Sequence, residues 1–254
     1  MPRQDFTSPR LFVPAPLCAG EDIALEKGQA NYLRNVLRLG PDATVLAFNG
    51  HDGEWRTRLV ATGKGATLHI REQSRPQPPA PDLVYAFAPL KHARLDYMVQ
   101  KAVEMGAGVL QPVITGRTQV ARVNSERMVA NVVEAAEQCG VLHVPAVAEP
   151  LRFEAWLATW PAERTLVFCD EDAPVADAVA ALRGAVGNTP APSLGLVIGP
   201  EGGFEPRERE ALSRLPRVVR LSLGPRILRA DTAAVASLAV IQAVLGDWRE
   251  PASA

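Results

Sequence analysis

Two segments of this 254-residue chain gather residue types that could do chemistry. The first is Gly199-Pro200-Glu201-Gly202-Gly203-Phe204, which leaves the apolar run Leu196-Val197-Ile198 and leads into a helix that can begin at Pro206. Glycines in such a turn let backbone N–H and C=O groups approach a ligand closely. The run lacks both the Gly-x-Gly-x-x-Gly spacing and the Lys-Ser/Thr ending of a phosphate loop, so a phosphate cradle is weakly indicated. Taken alone, it equally suits a tight turn that binds nothing.

The second segment runs from Leu221 through Ser222, Leu223, Gly224, Pro225, Arg226, Ile227, Leu228 and Arg229 to Ala230-Asp231-Thr232. Asp231 or Thr232 can cap the helix that follows. Arg226 and Arg229 flank the apolar pair Ile227-Leu228. Either the arginines pair with carboxylates while the apolar pair plugs the core, or the pair forms a slot for a planar ring with guanidinium groups at its mouth.

The elements that must hold these loops alternate strand and helix. Apolar strands are expected at Leu83–Ala88, Val109–Val113, Leu166–Cys169, Leu194–Ile198 and Val218–Leu221. Helices are expected at His92–Gly106, Ser125–Cys139, Val175–Arg183, Pro206–Arg214 and Asp231–Leu245. Solidly apolar short strands between helices predict a parallel sheet covered on both faces. Its ligand belongs beyond the carboxyl ends of the strands, where both loops fall.

Upstream, Ser74-Arg75-Pro76-Gln77-Pro78-Pro79-Ala80-Pro81 carries four prolines and reads as a stiff connector. The expected organisation is therefore a small β-barrel over 1–73, a linker over 74–81 and an α/β domain over 82–254. Thr44–Phe48, Glu54–Val60 and Ala66–Ile70 read as a hairpin-rich meander, with turn chemistry at Asn49–Gly53. Within the barrel, Gly28–Leu39 is expected to be helical, with Tyr32, Leu33, Val36 and Leu37 on one face and Arg34 and Arg38 on another.

Composition narrows the classes. Hydrophobic residues are 47% and charged residues 22%, as in an ordinary globular chain. Lys+Arg total 27 against 28 Asp+Glu, which excludes a uniformly basic coat for nucleic acid but not a local basic patch. Ten basic residues face eight acidic ones through Pro81, and seventeen face twenty beyond it. Cys18, Cys139 and Cys169 are too scattered for a disulfide framework or a zinc site, so no metal is expected. No apolar signal core begins the chain, and Ala233–Gly246 is too short to span a bilayer. The expected setting is cytoplasmic, with reduced thiols and no membrane.

Leu196-Val-Ile-Gly-Pro-Glu-Gly-Gly-Phe204 followed by Leu223-Gly-Pro-Arg-Ile-Leu-Arg229 resembles the signature of the 16S ribosomal RNA uridine-N3 methyltransferases (the RsmE family) of the SPOUT superfamily. Leu90 to Gly106, Glu137-Gln-Cys-Gly140 with Val144-Pro145, and Tyr32-Leu-Arg-Asn-Val-Leu-Arg-Leu39 extend the likeness over nearly the whole chain. The last match falls in that family's PUA-like RNA-binding domain. The resemblance implies an α/β domain tied in a trefoil knot, a homodimer, and S-adenosylmethionine bent within the knot. Ile198, Gly199, Pro200, Glu201 and Gly202 would form one wall of its site, and Leu221, Leu223, Gly224, Ile227 and Leu228 the other.

It further implies methyl transfer to uracil N3 in 16S rRNA of the small ribosomal subunit. Arginine suits the anion left when N3 loses its proton, because it stays charged and offers several donors. Arg229 is the first candidate and Arg226 the second, with Glu201 and Asp231 as possible proton acceptors. RNA capture would fall to Arg10, Arg34 and Arg38 in the first domain and to Lys91 and Arg94 in the second. Two positions depart from the family pattern. Arg229-Ala-Asp-Thr-Ala233 replaces the usual Arg-Thr-Glu-Thr-Ala, and Val141 stands where Arg is common. The rival readings are a methyltransferase of the same superfamily acting on another RNA, a nucleotide-phosphate-binding α/β enzyme, and a non-catalytic RNA-binding protein.

Overall fold

A computed structural model of the chain describes residues 5, 7–63, 65–91, 93–120, 122–170, 173, 177–186 and 192–249. Its contacts divide into two units, residues 1–80 with 136–144, and residues 81–135 with 145–254.

The first unit holds β1 (Arg10–Phe12), β2 (Asp22–Ala24), α1 (Lys27–Asn31), β3 (Thr44–Phe48), β4 (Glu54–Thr62) and β5 (Gly65–Arg75). They form a mixed sheet in the order β1-β3-β4-β5-β2, with β1 parallel to β3 and the remaining pairs antiparallel. Alternating residues of β4 and β5, including Leu59, Leu68 and Ile70, turn inward onto Val45, Ala47 and Leu33. Between β3 and β4, Asn49 Oδ1 accepts the N–H groups of His51 and Asp52 at 3.0 and 2.8 Å, the local bonding that makes Asn a turn former.

Two expectations for this unit need correction. The segment 28–39 is not one amphipathic helix. After α1 it widens into a π-helical turn, Tyr32–Val36, closed by Leu37 N–H to Tyr32 O at 2.9 Å. That wider pitch breaks the expected single apolar face: Leu33 is fully buried while Tyr32, Val36 and Leu37 are exposed. The proline-rich segment is also not all connector. β5 continues through Ser74 and Arg75 because both bond to Glu54, Ser74 Oγ to Oε1 at 2.9 Å and Arg75 Nη2 to Oε2 at 2.7 Å.

The second unit holds β6 (Leu83–Phe87), α2 (Ala93–Glu104), β7 (Val109–Ile114), α3 (Ser125–Cys139), β8 (Ala146–Val147), β9 (Leu151–Arg152), α4 (Phe153–Ala158), β10 (Thr165–Cys169), α5 (Ala178–Val186), β11 (Leu194–Ile198), α6 (Pro206–Ser213), β12 (Val218–Leu221) and α7 (Ala230–Leu245). The last turn of α3 groups with the first unit, since residues 136–144 belong there. His92 and Val175, the expected first residues of two helices, lie outside the described residues.

The strands form a wholly parallel sheet in the order β12-β10-β11-β6-β7-β8, with β9 paired to β7. One face packs Phe168, Val197 and Leu166 against Phe153, Trp156 and Leu212. The opposite register includes Cys169 and faces α7, where Cys169 Sγ meets Ser237 Oγ at 2.9 Å. In α7 the buried positions Ala230, Ala234, Leu238, Ile241 and Val244 recur at helical spacing. Its two buried polar residues are bonded: Ser237 Oγ donates to Ala233 O at 2.7 Å and Gln242 Nε2 to Met105 O at 2.6 Å. Among the described residues no helix is long and apolar enough to cross a membrane, and no cluster of His, Cys, Asp and Glu has the makings of a metal site.

Candidate active site

Parallel pairing aligns Cys169 with Leu221 and Phe168 with Val197, so β10, β11 and β12 end together. The loops leaving them enclose a cleft of about 370 Å³. All ten residues expected to form the two walls line it: Ile198, Gly199, Pro200, Glu201 and Gly202 on one side, and Leu221, Leu223, Gly224, Ile227 and Leu228 on the other. Phe168, Cys169, Asp170, Phe204, Arg209 and Ala230 also line it and were not anticipated, because they are ordinary strand-end, core and helix residues in the sequence.

The glycine loop is shaped partly by packing. A Cβ at Gly199 would stand 2.8 Å from the Phe204 ring, which is itself seated edge-on against Phe168 at 5.3 Å. Gly203 (φ +69°) closes a turn with its N–H on Pro200 O at 2.8 Å, and Gly224 (φ +94°) bends the opposite loop. The motif is therefore structural at Gly199 and Phe204, while Glu201 and Gly202 line the cleft. The N-terminus of α6 is closed to phosphate. Glu205 and Glu208 form a capping box there, placing two carboxylates where an anionic ligand would need free N–H groups. That arrangement opposes the nucleotide-phosphate reading.

The cleft floor contains an ion cluster that was not foreseen. Asp170, 4% exposed, holds Arg220 Nε at 2.8 Å on one oxygen and Arg209 on the other. Beside it, burial raises the Cys169 thiol to about 12, against the opposing hydrogen bond of Ser237. A thiol held neutral in this way is a poor nucleophile. Titration of the native protein with an aromatic disulfide at pH 8 is expected to modify the exposed Cys18 and Cys139 readily and Cys169 only after denaturation. Equal rates at all three would contradict the raised thiol of Cys169.

A second concavity of about 540 Å³ lies between α2 and α7, lined by Ala93, Arg94, Tyr97, Asp231, Thr232, Val235 and Ala236. Three of the four residues expected to be catalytic are divided between the two spaces. Arg226 and Glu201 line the cleft, and Asp231 lines the groove. Arg229 is the exposed N-cap of α7, between Leu228 and Ala230 of the cleft and Asp231 and Thr232 of the groove. Ile227 is 96% exposed, so it does not plug the core. Ala230, where the resembled family carries Thr, is buried in the cleft wall, a position that suits the methyl group.

The expected RNA contacts fare unevenly. Arg10 is spent inside its unit, 6% exposed, with Nε on Glu54 Oε2 at 3.0 Å and Nη2 on Asp5 O at 2.6 Å. Arg34 holds the β4–β5 turn through Gly63 O and Gly65 O at 3.2 and 2.8 Å. A basic residue in the sequence carries no sign of whether its partner is protein or solvent, which is why both were expected at the surface. Arg38 and Lys91 are exposed, and Arg94 is exposed with Nη1 3.5 Å from Glu201 Oε1. Glu137-Gln-Cys-Gly140 also proves structural: Glu137 Oε1 accepts Phe12 N–H at 2.8 Å and Gly140 ends α3 at φ +71°.

Comparison with known proteins places these features in context. Residues 76–242 match the RNA methyltransferase domain family and residues 25–70 the RNA methyltransferase PUA domain family. The ribosomal RNA small subunit methyltransferase E of Synechocystis sp. is 31% identical over 93% of this chain and 78% of its own length. That of Rickettsia conorii is 27% identical over 92% and 94%. The crystal structure of the Neisseria gonorrhoeae ribosomal RNA small subunit methyltransferase E bound to S-adenosyl methionine superposes with a TM-score of 0.83 at 27% identity, covering 95% of this chain and all of that one. A Legionella pneumophila protein solved with the same cofactor superposes at 0.78 with 26% identity, covering 94% and 99%.

Proposed function

Because this chain belongs to the ribosomal RNA small subunit methyltransferase E family, we propose that it is an S-adenosylmethionine-dependent methyltransferase of 16S rRNA that modifies uracil N3. The observation that carries the reading is the single cleft formed by both expected walls, ten residues drawn from loops about twenty positions apart. Its volume, its apolar lining from Ile198, Leu221, Leu223 and Leu228, and its exposed loop backbone suit an adenosyl group read by main-chain donors and acceptors. When bound, the cofactor supplies an electrophilic methyl on sulfonium. We further propose that the segment from β11 to α7 is threaded as the trefoil knot, which would bring the two loops face to face.

The chain's own residues then divide the work. The groove between α2 and α7 admits the flipped-out uridine, with Tyr97 offering a ring face for stacking and Arg94 a cation at the entrance. Arg229, at the boundary of groove and cleft, donates to the uracil carbonyl oxygens as N3 loses its proton, and Asp231 in the groove accepts that proton. Glu201 faces Arg94 and orients it. Holding N3 in line with the methyl group supplies a large part of the acceleration. The domain organisation proposed is a PUA-like RNA-docking unit presenting Arg38, followed by the catalytic unit. The protein is proposed to act in the cytoplasm as a homodimer, which would cover Ile227.

The experiment incubates the protein and radiolabelled S-adenosylmethionine with small ribosomal subunits lacking the modification, then maps the product nucleotide. Label at uridine N3 of the 16S rRNA is expected. Binding without transfer, where a reference family member transfers, would leave only an RNA-binding protein.

A further inference from the structure

The turn after β7 bears no recognised motif, yet it reaches the glycine loop. Thr115 N–H and its hydroxyl both meet Thr118 Oγ1 at 2.9 Å, and Thr118 N–H returns to Thr115 O at 3.2 Å, so the turn is preformed. Gly116 N–H donates to Glu208 Oε1 at 2.7 Å, and the other oxygen of that carboxylate accepts Glu205 N–H at 2.8 Å. Glu208 is 2% exposed, and a Cβ at Gly116 would collide with the Glu205 carboxylate. The turn is thus fixed to the start of α6 and delivers Arg117, whose Nη1 donates to Gly202 O at 2.6 Å.

A carbonyl takes one guanidinium donor and leaves the charge intact. Arg117 is exposed, and it has no ion pair among the described residues. Arg226 on the facing wall has none either, whereas Arg94 is engaged by Glu201. Arg226 thus lines the cleft without an ion pair among the described residues, and Arg117, equally unpaired, is tied to Gly202 of the loop proposed as the cofactor wall.

We infer that Arg117 is a positioning residue that couples RNA docking to the cofactor loop: it holds Gly202 O with one donor and takes a backbone phosphate of the incoming RNA strand with the others. The inference rests on the methyltransferase reading above. Phosphate is the chemistry that suits it, because a guanidinium fork on a rigid turn binds two phosphate oxygens at once and carries no base preference.

The test compares Arg117→Gln, Arg117→Ala and Arg117→Lys. Binding of a single-stranded oligoribonucleotide is measured across a salt series without cofactor, and binding of S-adenosylmethionine is measured by calorimetry without RNA. Glutamine retains an N–H for Gly202 O but no charge. It is expected to weaken RNA binding about tenfold, the scale of one charged hydrogen bond, and to flatten the salt slope by about 0.7. Its cofactor affinity should stay within about twofold of the wild type. Alanine is expected to show the same RNA defect and, with Gly202 O abandoned, about fivefold weaker cofactor binding. Lysine should keep the salt slope. Unchanged RNA affinity and slope in Arg117→Gln would overturn the inference, as would a slope lost equally in Arg117→Lys. Absence of methyl transfer by the wild-type protein would instead count against the methyltransferase reading, and the cofactor-free RNA measurement would still decide the role of Arg117.

Discussion

Arg229→Ala is expected to lower single-turnover methyl transfer by about 10²–10³-fold, the loss seen when one preorganised donor to a developing anion is removed. S-adenosylmethionine affinity should remain within about twofold. The prediction follows from where Arg229 stands. Its neighbours Leu228 and Ala230 line the cleft and Asp231 and Thr232 line the groove between α2 and α7, while Arg229 lines neither. On the proposed function, a side chain so placed would meet the substrate ring where it approaches the methyl group. As N-cap of α7 it makes no side-chain capping bond, so its removal should leave the helix and the melting temperature nearly unchanged. Arg226→Ala makes the contrast. Arg226 lines the cleft, and its loss should appear first in cofactor affinity. Arg229→Lys should recover only part of the rate, since an ammonium cannot donate to two carbonyl oxygens in the fixed geometry of a guanidinium. Calorimetry with the cofactor and rapid-quench assays on small subunits separate the two arginines. Unchanged turnover in Arg229→Ala would remove it from the mechanism.

The walls of the cleft were legible in the sequence because backbone-lined sites leave a mark in residue type: glycines at Gly202 and Gly224, a strand end before each loop, and an apolar pair at Ile227-Leu228. The parallel sheet was legible for the same kind of reason, since strands buried on both faces must be solidly apolar. What stayed hidden depends on distance along the chain. Arg209 and Arg220 converge on Asp170 from positions 39 and 50 residues away, and no local pattern announces such a meeting. The same holds for Glu208, which reaches Gly116 across 92 residues. Arginines were the residues most easily misjudged. Arg10, Arg34 and Arg38 look identical in sequence, yet Arg10 is consumed by a buried carboxylate, Arg34 holds two carbonyls of its own unit with its charge intact, and Arg38 is exposed. Charge type was readable; charge availability required the fold. The strands β8 and β9 and the six-residue helix α4 were missed because segments this short carry too few turns to show a period.

Glu54→Gln is expected to destabilise the first unit by about 3 kcal/mol, because it leaves buried cations without their counter-charge. Glu54 is 2% exposed and gathers three side chains from two other strands of that unit. Arg10 of β1 donates to Oε2, Arg75 of β5 donates to both oxygens at 3.0 and 2.7 Å, and Ser74 Oγ donates to Oε1. Arg75 Nη2 also reaches Gly140 O at 3.0 Å, and Arg10 packs over Gly140, so the end of α3 is held by the same cluster. Burial by itself would raise the Glu54 carboxyl, but the hydrogen bonds from Arg75 and Ser74, the Arg75 charge and the Arg10 bond outweigh it, and its pKa falls below the ordinary 4.5. The sign of the pH dependence follows. The unfolded chain binds this proton more readily than the folded one, so the stabilisation is complete above pH 4.5 and is lost as pH falls through the depressed folded value. Calorimetric unfolding of wild type and Glu54→Gln should therefore differ by the full amount at pH 7 and converge progressively below about pH 4.5. The variant must lack that part of the acid limb while its carboxylates elsewhere, Asp5 and Asp52 among them, still contribute their own. A difference under about 1 kcal/mol at pH 7, or one independent of pH, would mean that solvent rather than Glu54 balances Arg10 and Arg75.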